Sequence, residues 1–363
     1  METCDIPFAM RLKEVADWNQ LPEDWEFLLE AGSDGNLVAM LDGRPAGTVT
    51  TLTYGDRFSW IGMVLVDPQM RRRGVGTRLL EAAIERARRH GDVLLDATPE
   101  GKLLYETLGF VTGQEIQRLE REGSRQQASR QQFTSVQQES RPVQQGDLER
   151  IKAMDRHVFG ADRSSVLNYL LSRAPDYGWC LERDGQIRGY CFGRPGSRFD
   201  QIGPLVAESL DGAIALLSRV IDAAGERPLV MDVFTGDGAW PSLLDGFGFR
   251  FQRRLIRMSL EGGRQTGGEG QIERGVQPES EDPIRRGIRS EGEDPIGRGI
   301  RSESSDPVGS RGSTESEKHP EGHRRVDQDP QVPEDDAAET DEHQRFGPVR
   351  PLISYAIAAP EWG

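Results

Sequence analysis

The sequence predicts a mixed α/β fold, an α+β mixed sheet, present twice in tandem. Three observations carry this. Short β-rich runs alternate with helical periodicity from about Pro7 to Glu120; the same order of elements returns from Pro142 to Leu260; and a tract poor in apolar residues separates the second copy from a last β-rich run.

In the first copy, "NLVAMLDGRPAGTVTTLTY" holds two β-rich runs around Asp42-Gly43, a hairpin signal, and "FSWIGMVLVDP" adds a strand that Asp67-Pro68 stops. Leu80, Ala83, Ile84 and Ala87 then fall on one apolar stripe, which predicts an amphipathic helix from Val75 to Arg89. "DVLLDA" reads as a short buried strand, "EGKLLYETL" as a helix ended by Gly109, and "FVTGQEIQRLE" as the closing strand.

The second copy aligns piece by piece. "RDGQIRGYCFG" lies under "LDGRPAGTVTT", "QIGPLVA" under "WIGMVLV", "PLVMDVF" under "DVLLDAT", and "SLLDGFGFRFQRRLIRM" under "LLYETLGFVTGQEIQRLER". The expected organisation is a first domain over residues 1–120, a Gln/Ser/Arg-rich linker over 121–141 and a second domain over 142–261. A low-complexity insertion with a 12-residue repeat ("EDPIRRGIRSEG", "EDPIGRGIRSES") comes next over 262–346, and residues 347–363 close the second domain as a strand. The repeats have too little apolar surface to pack a core and are expected to be disordered.

Composition excludes several classes of function. A net charge of −15 opposes general nucleic-acid binding, which needs a basic face. Three scattered cysteines and no CxxC or HExxH make a disulfide framework or a metal site unexpected, and no run is apolar enough to span a membrane. A cytoplasmic protein is expected. Lysine occurs only at Lys13, Lys102, Lys152 and Lys318 in an acidic chain, which suits a salt-rich cytoplasm and a halophilic source.

Against that acidity stands "VDPQMRRRGVGTRLL", three arginines and two glycines between a strand and a helix. Glycines let backbone amides converge, the helix start adds free N–H groups and the positive end of its dipole, and arginine adds charge. The ligand chemistry is a pyrophosphate. No GxxxxGK[ST] occurs and the loop lacks the GxGxxG spacing, so the two common nucleotide loops are excluded.

The loop resembles the acyl-coenzyme A motif [QR]-x-x-G-x-[GA] of the GNAT superfamily of N-acetyltransferases, with Arg71, Gly74 and Gly76 at its fixed positions, and "LLYETLGF" is similar to that family's late helix. The layout as a whole resembles tandem acetyltransferases with a degenerate second copy. The resemblance implies acetyl-CoA as cosubstrate, without a metal. Arg71, Arg72, Arg73, Gly74, Val75, Gly76 and Thr77 would hold its pyrophosphate, and the strand edge Met63, Val64, Leu65 and Val66 its pantetheine arm. It further implies direct acetyl transfer to a primary amine in a ternary complex, with Tyr105 as the acid for the departing thiolate. Asp96 and Glu100 are candidate bases, although Asp96 has a counterpart in Asp232, which favours a structural role. Trp18, Trp25 and Trp60 could line an acceptor pocket or fill the core. Arg163 and Arg194 could bind an acceptor carboxylate, but ion pairs fit them better.

The second copy carries "ESLDGAI" where the loop should be and Leu244 at the place of Tyr105. It is expected to keep the fold and lose the chemistry. The expected acceptor is a small-molecule amine, and the expected state a monomer or homodimer. A protein lysine or α-amine acceptor remains open, as does a non-catalytic acyl-CoA sensor or scaffold.

Overall fold

The computed structural model describes residues 1–32, 35–123, 139–235, 240–262 and 353–356. Most of the predicted linker and the whole repeat tract lie outside the described residues.

Two helices open the chain, α1 (Ile6–Val15) and α2 (Pro22–Ala31). Their signal is local: α2 starts with Pro22 at its first position and Glu23 and Asp24 in its first turn, and Asp24 accepts the Leu21 N–H at 2.8 Å. β1 (Leu37–Leu41) and β2 (Arg44–Tyr54) form the predicted hairpin. Asp42 and Gly43 both take positive φ, 53° and 75°, as a two-residue turn with the twist of its strands requires. Next come β3 (Phe58–Val66), α3 (Val75–Ala87), β4 (Asp92–Ala97), α4 (Pro99–Thr107) and β5 (Val111–Arg121).

The second half repeats this order. After the short β6 (Ser140–Pro142) come α5 (Leu148–Phe159), α6 (Ser164–Arg173), β7 (Trp179–Arg183), β8 (Gln186–Arg194) and β9 (Asp200–Ala207). The series continues with α7 (Leu210–Ala224), β10 (Leu229–Phe234), α8 (Trp240–Gly246) and β11 (Arg250–Leu260). β12 (Ile353–Ala356) pairs antiparallel with β9.

All these strands join one mixed sheet in the order β1-β2-β3-β4-β11-β5-β10-β9-β8-β7-β6, with β12 on β9 off that path. The middle of the order is what the sequence did not reveal. β5, the last strand of the first half, lies antiparallel to β10 of the second; β11, the last strand of the second half, lies antiparallel to β4 of the first. β5 and β11 also pair with each other. Each half therefore supplies a strand that the other half needs.

Two buried ion pairs fix the exchange. Arg118 on β5 sits opposite Asp232 on β10 and donates through Nε and Nη2 at 2.7 Å each; Gln201 also donates to Asp232 at 3.0 Å. Arg257 on β11 sits opposite Asp96 on β4 and donates through Nε at 3.0 Å and Nη2 at 3.1 Å. Arg118 and Arg257 occupy the same place in the two aligned copies, as do Asp232 and Asp96, so each is one pair of residues used twice.

The cores repeat the same plan. α3 covers one sheet face of the first half with Leu79, Leu80, Ala83 and Ile84, and α7 covers the second with Ile214, Leu217, Val220 and Ile221. A third core is shared: Trp25, Leu28 and Trp60 of the first half pack in one cluster with Leu167, Tyr190 and Phe192 of the second. Gly47 lets α3 come close, because a Cβ there would stand 3.0 Å from Leu79 Cδ1 and 3.3 Å from Val75 Cγ1. No helix among the described residues is long and apolar enough to cross a membrane.

Arg118→Ala would leave the Asp232 carboxylate buried without its cation and is expected to cost about 3–5 kcal/mol, measured by urea unfolding. The apolar double replacement Arg118→Met with Asp232→Leu should cost less than Arg118→Ala alone.

Candidate functional site

The site grows from a divergence of two parallel strands. β3 and β4 pair only at Phe58–Asp92, Ser59–Val93 and Trp60–Leu94. Beyond Trp60, β3 stays with β2 on one side and β4 with β11 on the other, so the facing edges of residues 61–66 and 95–97 open a cleft. At the mouth of the cleft β3 carries a bulge: its register against β2 shifts between Thr48 and Thr50, and Met63 takes a φ of 52°. The Thr48 hydroxyl donates to the Met63 carbonyl at 2.9 Å and holds the bulge in place. Met63 and Leu65 are buried, whereas Val64 and Val66 are half-buried.

Past Val66 the chain turns through Asp67, which accepts the Gln69 N–H at 3.0 Å and pairs with Arg11 at 3.0 Å. The arginine loop then leads into α3. Arg71 folds back toward the Val66 carbonyl, Nε to oxygen 3.4 Å, and Arg73 pairs with Asp42 of the hairpin at 3.0 Å. Arg72 has a φ of 58°, and Gly74 takes the left-handed conformation, φ 77°, that glycine adopts without strain. Nothing lies within 4 Å of a Cβ built on Gly74, and one on Gly76 would meet only a methyl of Val66 at 3.4 Å. No side chain caps α3, so its first N–H groups and dipole face open space in a basic loop.

The second half shows the same place closed. Ser209 caps α7 by accepting the Gly212 N–H at 3.2 Å, and Asp211 sits in the first turn. In β9, Gly203 and Pro204 stand where β3 has Gly62 and Met63, and proline has no N–H to offer a ligand.

α4 comes directly after β4. Thr98 caps it, accepting the Gly101 N–H at 3.3 Å. Tyr105 packs into the same core cluster as Val64 and Val66 and meets Phe110 edge-on at 5.9 Å. Gly101 makes room for its ring, since a Cβ there would stand 3.0 Å from Tyr105 Cε2. Burial pushes the Tyr105 phenol up to about 12. Leu244, its counterpart, is wholly buried in the core under α7.

Asp96, a candidate base in the sequence, lies in an ion pair. Its side chain is fully buried and held by Nε and Nη2 of Arg257, whose guanidinium lies 4.5 Å from the Trp60 ring and 4.9 Å from that of Phe234. Burial raises the Asp96 carboxyl above its ordinary value, while Arg257 opposes that shift. Glu100 is exposed in the first turn of α4. Trp25 and Trp60 are core residues, and Trp18 packs partly buried against the same cluster. Arg163 binds Asp155 within the second half, and Arg194 reaches Asp24 of the first at 2.8 Å, so both take the ion-pair role. Sequence reasoning missed Arg257 and Arg118; an arginine repeated in both copies alongside a repeated aspartate was the available signal.

Between the halves lies a cavity of about 330 Å³, lined among others by Asp17, Asn19, Arg118, Glu120, Gln252 and Arg253. β11 reaches it with residues that run beyond the end of β4, since Ile256 is the last to pair with that strand. Asn19 pins the opposite wall, accepting the Arg198 and Phe199 N–H groups at 3.0 Å each and donating to the Phe199 carbonyl at 2.8 Å. No group of three or more His, Cys, Asp or Glu side chains among the described residues could hold a metal ion.

Comparison with known proteins agrees with this geometry. Residues 7–110 match the model of the acetyltransferase (GNAT) family, and residues 151–272 match that of an acetyltransferase (GNAT) domain. The chain is 31% identical over 179 residues to the uncharacterized N-acetyltransferase YitH of Bacillus subtilis (strain 168), covering 49% of this chain. The match spans 61% of that relative's length. A GCN5-related N-acetyltransferase from Sphaerobacter thermophilus shares the fold with a TM-score of 0.54 at 20% identity, over 72% of this chain and 94% of that one. A tandem GNAT protein from the clavulanic acid biosynthesis pathway does so with a TM-score of 0.52 at 15% identity, over 71% and 94%.

Tyr105 is expected to keep its proton at pH 10.5, where an exposed tyrosine is largely ionised. The difference in alkaline absorbance titration between the wild type and Tyr105→Phe reads this directly; a difference midpoint near 10 would contradict it.

Proposed function

From a chain that carries two GNAT acetyltransferase domains we infer a single working site: we propose that the first half binds acetyl-CoA and transfers its acetyl group to a small polar primary amine. The observation that carries this reading is the contrast between the helices. α3 starts without a side-chain cap behind three arginines and Gly74, with Gly76 in its first turn, and α7 starts capped by Ser209 beside Asp211.

The residues present fit an acyl-CoA. The cosubstrate supplies an acetyl group activated as a thioester. The amides of residues 71–77 and the start of α3 offer donors to a pyrophosphate, and Arg71 and Arg72 add charge, Arg73 being shared with Asp42. The free edge of Met63, Val64, Leu65 and Val66 offers strand-like donors and acceptors to the amides of a pantetheine arm. A backbone N–H of the bulged segment polarises the carbonyl.

Tyr105 holds a proton at its phenol oxygen for the departing thiolate, and burial keeps that proton in place across neutral and mildly alkaline pH. The sign is fixed: a raised value means the neutral donor form persists, so loss of Tyr105 as an acid by ionisation belongs to strongly alkaline pH only. Asp96 instead positions β4 through Arg257. The cavity between the halves is lined by charges of both signs, with Arg198 paired to Asp17 and Gln252 donating to Glu120. Its size falls at the small end of ligand pockets, which favours a small acceptor over a protein chain.

Calorimetric titration of acetyl-CoA is expected to give one site per chain, abolished by Gly76→Asp, which places a carboxylate in the phosphate loop. Absence of binding to folded wild type would overturn the reading. Tyr105→Phe should bind acetyl-CoA as the wild type does and lower kcat by roughly 100-fold or more, in a steady-state thiol-release assay with an amine acceptor.

A further inference from the structure

The second half opens the same cleft as the first. β9 and β10 pair in parallel only at Asp200–Leu229, Gln201–Val230 and Ile202–Met231, three pairs, as β3 and β4 do, and then diverge. Past the point of divergence the two clefts differ. The edge of β9 that faces its cleft is taken by β12: Ile353 lies opposite Ala207, Ser354 opposite Val206 and Ala356 opposite Leu205. In the aligned copies Leu205, Val206 and Ala207 correspond to Val64, Leu65 and Val66, so β12 pairs with the counterparts of the segment assigned to the pantetheine arm.

Burial records the same difference. Every residue of β9 is buried, whereas β3 leaves Val64 and Val66 half-buried at the corresponding places. The anion end of the second cleft is shut as well, by the Ser209 cap and Asp211. A cleft that rejects a phosphate but keeps a free strand edge suits an uncharged extended ligand, whose N–H and C=O groups alternate as a strand requires.

We propose that the cleft between β9 and β10 is a strand-binding site whose ligand is this chain's own C-terminal segment, residues 353–356, seated where the first half takes its acyl carrier. The analogy rests on the cofactor reading of the first half; the strand pairing does not. The segment closes the second cleft, so the degenerate half neither binds acyl-CoA nor presents an open sheet edge.

Hydrogen exchange on the full chain, read by mass spectrometry, tests this. Amides of 205–207 and 353–356 are expected to be protected in the wild type. Ile353→Pro with Ser354→Pro removes ladder donors, and exchange at 205–207 should then rise by about tenfold or more while β3 and α3 stay unchanged. A synthetic peptide of residues 347–363 should restore protection at 205–207 in this variant and leave the wild type unaltered. Exchange at 353–356 as fast as in the free peptide, or a peptide that protects nothing in the variant, would overturn the proposal.

Two further arms keep the result independent of the variant's folding and of the cofactor reading. The pair Ala207→Cys and Ile353→Cys should form an intramolecular disulfide under mild oxidation, and a folded protein that forms none contradicts the pairing. Added acetyl-CoA should slow exchange at 61–66 and leave 205–207 as it was. Failure at 61–66 alone counts against the cofactor reading, and slowing at 205–207 counts against a filled second cleft.

Discussion

The structure depends on a reciprocal exchange of strands, locked by one ion pair used twice. Arg118 on β5 reaches Asp232 in the other half, and Arg257 on β11 reaches Asp96 in the first. A buried arginine or aspartate alone is costly, so neither half can keep its own polar residue without the other half's partner. The two pairs also sense each other, since Asp232 and Arg118 both act on the Asp96 carboxyl. The duplicated sequence therefore does not give two beads on a string. It gives one sheet in which each half is complete only with the other's last strand.

That symmetry makes the asymmetry at the two clefts informative. The backbone plan is the same: short parallel pairing, divergence, a bulge and a helix starting beyond it. What differs is a handful of side chains. The first half has glycines and arginines before an uncapped helix and a tyrosine on α4; the second has Ser209, Asp211, Pro204 and Leu244. On the proposed reading each change removes one requirement of an acyl-CoA site: open amides, positive charge, a donor N–H at the bulge, a proton source. Leu244 is fully buried in the core of the second half.

Much of this was legible in the sequence. The Asp42-Gly43 hairpin, β3 ending before Asp67-Pro68, the stripe of α3, the short β4, and the helix ended by Gly109 are all local patterns, set by turn chemistry and apolar spacing. The glycine–arginine loop was legible for the same reason, since its chemistry lies within a few consecutive residues. The strand exchange was not. A β-strand's period states which face is buried but not which neighbour it pairs with, and two similar halves offer each last strand two similar places. Asp96 reads as a candidate base in the sequence for that reason: its partner, Arg257, comes from the other copy. The helices α1 and α2 pack in a core that residues of both halves build, Leu52 and Trp60 of the first with Leu167 and Phe192 of the second.

Arg257 shows what the second half gives the first. It is held by Asp96 at the end of β4 and lies between Trp60 of the first half and Phe234 of the second. β4 is one wall of the working cleft, and its other edge is covered by β11. The wall's position is therefore set by a strand, a cation and an aromatic ring that all belong to the degenerate copy. The cavity between the halves is shared, with β5 contributing Glu120, β11 Gln252 and Arg253, and the loop after α1 closing against Phe199. A single copy folded alone would lack the strand beside β4 and one side of that cavity. Loss of the second half would thus take away part of the frame that positions the first half's cleft.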